Sequence, residues 1–282
     1  MRVDAHHHLW DLERRPQPWM DGPWAEPIRR TWTEDDLAPH LDAYGIDATV
    51  VVQACSSAAE TAELLALAAQ SARVAAVVGW TDLTALTEPG ELPPGLAGVR
   101  HQVQDEPDPE WLCRPAVRRG LAVLAEAGLL YELLVTPREL PAALATVRAL
   151  PALHFVLDHA AKPPVAAGEW QPWARLTSEL AALPNVTCKL SGLVTEADRR
   201  GWTEGTVLPY ARHALNAFGP DRVMYGSDWP VCQLAADYGQ VHTLAERATD
   251  HLSPGERAAV FGGTAARVYG IASGPSRGGS AA

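Results

Sequence analysis

The chain has 282 residues, 47% of them hydrophobic, with 23 Lys and Arg against 34 Asp and Glu for a formal charge of −11. That acidic balance argues against nucleic acid or an anionic membrane surface as partner, since either needs concentrated Lys and Arg, while the apolar fraction is enough for one sizeable core. Cys55, Cys113, Cys188 and Cys232 lie far apart without C-x-x-C spacing, which reads as buried free thiols; with no export signal and no apolar run near the roughly 20 residues that span a bilayer, a cytoplasmic protein is expected.

Short β-branched or apolar runs alternate with longer helical patterns. Eight such runs predict strands at 3–8, 49–53, 74–80, 97–103, 130–135, 154–159, 186–190 and 222–227. Strands alternating with helices imply a parallel sheet, and eight of them close into a single (β/α)8 TIM-type barrel with its working groups at the strands' C-terminal ends. The barrel is expected over 1–272. The Gly- and Ser-rich segment 273–282 reads as a disordered tail.

In chain order, the first predicted strand carries Asp4-Ala5-His6-His7-His8. A period of two puts His6 and His8 on one face and His7 on the other. If the first face is inward, two imidazoles meet at the barrel mouth, where they can bind a metal or hold a water. A long connection follows at 11–33, with Trp19 and Trp24 along it. Long loops on the active face of a compact domain are commonly functional. Gln53 closes the second strand, and Ser57-x-x-Glu60 reads as a capping box for the next helix.

The fourth strand ends in Arg100-His101; a guanidinium there could polarise a carbonyl, against a rim ion pair as the plainer reading. Glu132, deeper in the fifth strand, needs a partner if buried and is either an orienting group for a histidine or metal, or half of an ion pair. Thr136-Pro137-x-Glu139 and Asp108-Pro109 read as helix starts. The sixth strand ends in Asp158-His159, with Lys162 after it: His159 is a catalytic candidate by position, a helix cap by turn chemistry. Gln53, Lys162 and Ser191 are placed to bond hydroxyl groups. A second long connection runs over 192–205. In the eighth run Gly226 permits close approach and Asp228 leaves the strand; Ser253-Pro254-x-Glu256 opens a terminal helix.

Strands one, six and eight of a closed barrel aim at one axial volume, so His6, His8, His159 and Asp228 should converge there. That set suits one divalent ion such as zinc, held by His6, His8 and Asp228 with Glu132 as a weaker candidate, or equally a bound water.

The phrases Asp4-Ala5-His6-His7-His8-Leu9-Trp10-Asp11, Gly98-Val99-Arg100-His101, Leu157-Asp158-His159-Ala160-Ala161-Lys162-Pro163, Cys188-Lys189-Leu190-Ser191-Gly192-Leu193 and Tyr225-Gly226-Ser227-Asp228-Trp229-Pro230 together resemble the fuconolactonase and rhamnonolactonase branch of the amidohydrolase superfamily. The resemblance implies a distorted barrel, hydrolysis of aldonolactones, and an aspartate after the eighth strand, here Asp228, that handles the proton of water. Two-metal members of the superfamily carry Lys on strand four and His on strand five; this chain has Arg100-His101 and Tyr131-Glu132 there. A two-metal site is therefore not expected, and the resemblance leaves open both one-metal and metal-free catalysis.

The expected reaction is attack of water on a lactone carbonyl, with Asp228 as base and Arg100 beside the oxyanion, on an L-fucono- or L-rhamnono-type lactone read by His101, Gln53, Lys162, Trp19 and Trp24. A metal-dependent decarboxylase of the same superfamily and a non-catalytic sugar-binding barrel are the alternatives. The sequence leaves the particular sugar and the oligomeric state open.

Overall fold

The computed structural model describes residues 1–272; the tail expected at 273–282 lies outside the described residues. Eight parallel strands form one sheet in sequential order: β1 (Val3–His7), β2 (Ala48–Val52), β3 (Val74–Gly79), β4 (Gly98–His101), β5 (Leu130–Leu133), β6 (Phe155–Leu157), β7 (Val186–Leu190) and β8 (Val223–Tyr225). The sheet closes on itself just past β8, where the Asp228 amide donates to His6 O (2.8 Å) and the His8 amide to Trp229 O (2.7 Å). Each predicted run holds one of these strands, with small differences at the ends.

Helices α1 (Glu34–Tyr44), α2 (Ala58–Ala68), α3 (Pro115–Glu126), α4 (Leu140–Ala149), α5 (Trp173–Ala181), α6 (Glu204–Phe218) and α7 (Tyr238–Ala248) follow every strand except β3, and α8 (Pro254–Ala258) and α9 (Thr264–Val268) complete the described chain. A helix after each strand is thus not realised at β3, whose connection holds only the 3-10 turn Pro89–Glu91. Pro89, Pro93 and Pro94 lack the amide a helix needs, and Gly90 and Gly95 favour the unfolded chain.

The expected box at Ser253 and Glu256 is fully reciprocal. Ser57 caps α2, but the Glu60 carboxylate turns back to the amides of Ala54 and Cys55, both 2.9 Å away. Glu139 accepts from Thr136 N (2.9 Å), yet α4 starts only at Leu140. Asp108 caps only the Glu110 amide (2.9 Å), and α3 begins at Pro115. All four cysteines are free; Cys188 and Cys232 are buried as expected, whereas Cys55 and Cys113 are partly exposed.

The lower half of the barrel is filled by Val3, Ala5, Val50, Val52, Ala76, Val78, Leu130, Val156 and Met224, and Ala265 of α9 closes its end with Tyr269 just after that helix. Such burial contributes about 1.5–3 kcal/mol per Val or Leu side chain. Above this plug the inner face is polar: His6, Arg100, Glu132, Asp158 and Lys189 are all buried. A local irregularity delivers His6 to that volume. Between Asp4 and His7 the register shifts, three steps along β1 (4 to 7) against two along β2 (49 to 51). The bulge changes parity, so His6 and His8 continue the inner face begun by Val3 and Ala5.

Candidate active site

His6 and His8 sit side by side, their Nε2 atoms 3.1 Å apart, while His7 turns outward to Thr49 Oγ1 at 3.0 Å. His8 Nδ1–H donates to Val52 O (2.8 Å). That bond makes Nε2 of His8 the nitrogen with the free lone pair. Below them lies a charge network. Arg100 Nη1 is 3.1 Å from Asp158 Oδ2 and 3.3 Å from His6 Nε2, and its Nη2 donates to Gln53 O. Lys189 Nζ is 2.6 Å from Glu132 Oε1, 3.3 Å from Asp158 Oδ1 and 3.1 Å from His6 Nδ1. Burial alone would raise the Asp158 carboxyl, but Lys189, His6 and Arg100 hold it well below the usual carboxylate range. Burial and then Asp158 push the Glu132 carboxyl up, and Tyr269 O–H donates to it from the plug.

His159 reaches the same volume on an unusual backbone. His159, Ala160, Ala161 and Lys162 all have positive φ, between 49° and 61°. This left-handed turn costs roughly 1–2 kcal/mol per non-glycine residue, and it is held by the Trp173 indole N–H on Ala160 O (2.7 Å). About three residues per turn bring His159 and Lys162 to one side. His159 Nδ1 is 2.9 Å from Ser191 Oγ. Gly192 packs flat against it: a Cβ there would sit 2.4 Å from His159 Nδ1 and 3.1 Å from Asp228 Oδ2, and φ is +64°. Asp228, also at positive φ (57°), places Oδ1 3.5 Å from His8 Nε2 and 3.7 Å from His6 Nε2. Gly226 lets the chain pass His6, where a Cβ would lie 2.7 Å from the His6 Cβ.

Burial shapes the protonation of the set. It lowers His159 to about 4 and His8 to about 3, the latter aided by Arg100. Burial and Lys189 hold His6 well below the ordinary imidazole value. All three rings are therefore neutral near pH 7, the form that accepts protons or binds metals. Burial raises the Asp228 carboxyl, against the pull of His159, Lys162 and Arg100, which makes it a stronger base than an exposed aspartate.

These groups floor a cavity of about 390 Å³, within the range of small-molecule sites, about 300–1,000 Å³. His8, Arg100, His159, Lys162 and Asp228 line it, with Trp19 and Trp24 from the first long connection and Thr195, Glu196 and Arg199 from the second. Trp10, Trp19 and Trp24 form a chain of contacting rings, 5.7 and 6.1 Å between centroids. Lys162 Nζ donates to Gln104 Oε1 (2.9 Å) and pairs with Glu196 (3.2 Å).

Three expected substrate contacts lie elsewhere. His101 alternates to the outer face of β4, where Trp80 Nε1–H donates to Nδ1 (3.0 Å), Nε2 pairs with Glu106 (2.8 Å) and Trp111 stacks at 4.3 Å. Gln53 is fully buried behind the wall, donating to Arg100 O (3.0 Å) and Gln102 Oε1 (3.3 Å). Ser191 is spent on His159. Lys189, Asp158, Gln102, Gln104 and Arg199 were not singled out from sequence as site residues. The signal was parity: Lys189 shares the inward face of β7 with Ser191, and Asp158 is two residues beyond inward Val156.

One ligand atom each from His6, His159 and Asp228 lie within 4.8 Å of one another, as do those of His6, Glu132 and Asp158. The first group, with His8 beside it, fits a single divalent ion: neutral imidazoles and one carboxylate, all buried. In the second the Lys189 ammonium already sits among the three ligand atoms, so a cation there would meet a fixed positive charge.

A sequence model of the amidohydrolase family matches residues 3–271. The L-fucono-1,5-lactonases of Burkholderia ambifaria and Burkholderia multivorans are 41% and 44% identical to the chain, each alignment covering 96% of both sequences. The crystal structure of an amidohydrolase from Burkholderia multivorans with bound zinc superposes with a TM-score of 0.89 at 42% identity, over 96% of this chain and 100% of that one.

Proposed function

The chain belongs to the amidohydrolase family, and from that premise we propose that it hydrolyses a sugar lactone, of the L-fuconolactone class acted on by its relatives, to the open aldonic acid. The observation that carries this reading is the place of Asp228: a buried carboxylate on strained backbone, beside three neutral imidazoles, under a wall of indoles and hydrogen-bonding side chains. Strain of that kind persists where the surroundings impose it, most often at working sites.

In the proposed mechanism a water on the cavity floor attacks the lactone carbonyl carbon as Asp228 takes its proton. Arg100 and the neighbouring imidazoles face the oxygen on which negative charge develops. The tetrahedral intermediate collapses by cleavage of the bond to the ring oxygen, and Asp228 or His159 returns a proton to that oxygen. A lactone needs less assistance than an amide because its alkoxide leaves more readily. A divalent ion such as zinc, if bound, would be held by His8, His159 and Asp228, with His6 able to join only as its Nδ1–H tautomer, and would supply Lewis acidity. Trp19 and Trp24 offer an apolar face to the sugar ring, and Lys162 with Gln104 reads hydroxyls. The free thiols and acidic surface suit a cytoplasmic enzyme.

The test is acid release from aldonolactones by purified protein and by Asp228→Asn, with circular dichroism to confirm the fold. The variant should lose about 10²–10⁴ in kcat; near-normal turnover would overturn the assignment of Asp228 as base. Among substrates, kcat/KM should favour L-fuconolactone over an unsubstituted lactone of equal ring size by about 10²-fold or more, because unpaired polar groups in a site built for hydroxyls penalise the analogue. Equal values would refute the sugar-reading wall.

A further inference from the structure

Of the buried charged groups on the barrel floor that the mechanism above does not use, Lys189 is the cation. It is fully buried near the C-terminal end of β7, 2.6 Å from Glu132 Oε1, 3.3 Å from Asp158 Oδ1 and 3.1 Å from His6 Nδ1, with the Tyr269 ring 5.6 Å below. An ammonium has three donors and no acceptor. Where it meets an imidazole nitrogen at 3.1 Å, that nitrogen must present its lone pair.

The other side of His6 agrees. His8 Nδ1–H is committed to Val52 O at 2.8 Å, so His8 Nε2 is an acceptor, and it lies 3.1 Å from His6 Nε2. With the proton of His6 on Nε2, both 3.1 Å contacts are hydrogen bonds: Lys189 to Nδ1, and Nε2–H to His8. With the proton on Nδ1, two lone pairs would face each other at 3.1 Å and an ammonium would face an N–H. That tautomer would gain only the longer contacts, Asp158 Oδ1 at 3.4 Å and Arg100 Nη1 at 3.3 Å. Arg100 does not depend on it, because Asp158 Oδ2 and Gln53 O already accept from its two terminal nitrogens.

We propose that Lys189 is a positioning residue that fixes His6 as the Nε2–H tautomer, so that His6 donates to His8 beneath the cavity and does not serve as a metal ligand. Lys189 thereby adds, beside Arg100, a fixed positive charge to the barrel floor and opposes recruitment of a divalent ion through His6. The inference concerns the site of the proposed lactonase reaction and rests on that reading only for its consequence in catalysis; the tautomer stands on geometry.

Nitrogen-15 NMR of the wild-type protein labelled at histidine, with His6 assigned by comparison with His6→Gln, tests it without substrate or metal. A pyridine-like Nδ1 and a protonated Nε2 are expected; a pyridine-like Nε2 would overturn the proposal while leaving lactone hydrolysis untouched. The second measurement is cobalt(II) titration followed by its visible absorption. Lys189→Met, or the charge-balanced Lys189→Met/Glu132→Gln where the single variant does not fold, should bind cobalt about 10–100-fold more tightly than wild type, the scale on which groups behind a ligating histidine act. Affinity equal to or weaker than wild type in the folded variant would contradict the role of Lys189.

Discussion

At the scale of single residues, the site depends as much on what is absent as on what is present. Gly192 has no Cβ because His159 and Asp228 already occupy that space. Gly192→Ala should therefore push the imidazole off Ser191 and away from Asp228, lowering kcat by at least about 10²-fold, since displacements near 1 Å carry costs of that order. The check is steady-state kinetics beside a thermal melt; unchanged kcat would show that the close packing is incidental to the chemistry. His7 supplies the contrast. Its Nε2 bonds Thr49 outside the barrel, so His7→Gln should keep most of the turnover that His6→Gln and His159→Gln lose. Sequence periodicity separates His7 from His6 and His8 correctly. It does not reveal that a bulge carries the latter pair to the inner face, since Val3 and Ala5 point there too and strict alternation from them would have delivered His7.

At the scale of elements, the strands were legible because each is a short β-branched or apolar run bounded by polar segments, and a parallel barrel buries both faces of such runs. The convergence of strands one, six and eight was legible for the same reason. What sequence could not carry was backbone of unusual hand. The turn chemistry at Asp158-His159 reads as a helix cap, and the structure makes Ala160-Ala161 the middle of a left-handed turn with His159 and Lys162 at its two ends. Alanine, like His159 and Lys162 in the same turn, has no branch at Cβ to press against the backbone. Ala161→Val should thus destabilise the protein by more than about 2 kcal/mol, because a β-branched residue at positive φ is a true outlier. Ala161→Gly should fall within about 1 kcal/mol of wild type, relief of strain offsetting the lost methyl and the freer unfolded chain. Chemical denaturation measures both, and a Gly variant less stable than the Val variant would remove strain as the governing effect. His101 is a different case: adjacent strand residues face opposite sides, so Arg100 and His101 could not both line the cavity, and it is Arg100 that does.

At the scale of the whole molecule, the barrel buries many titratable groups, and their balance sets how stability responds to acid. Burial lowers His7 and His8 to about 3 and His159 and His242 to about 4, and holds His6 well below its ordinary value. Above about pH 6.5 each is neutral both folded and unfolded, and contributes no pH dependence. Below that, the unfolded chain takes up protons that the folded chain refuses, so stability falls as pH falls toward 4. Four carboxyls act in the opposite sense. Burial raises Asp4 to about 6, and burial also raises Glu60, Glu132 and Asp228, so the fold binds these protons before the unfolded chain does and gains stability as pH drops through the same window. These five histidines, joined by His40 and His154, which burial also lowers, outnumber the four carboxyls, so the melting temperature should decline from pH 6.5 to 4.5. One titrating group corresponds to a slope of about 1.4 kcal/mol per pH unit at full difference in protonation. His7→Gln isolates one such group away from the cavity: its denaturation free energy should fall less steeply with acid than that of wild type, by up to that amount per unit. Denaturant unfolding of both proteins at pH 7, 6, 5 and 4.5 makes the comparison, and parallel curves would show that His7 is protonated as readily in the fold as outside it.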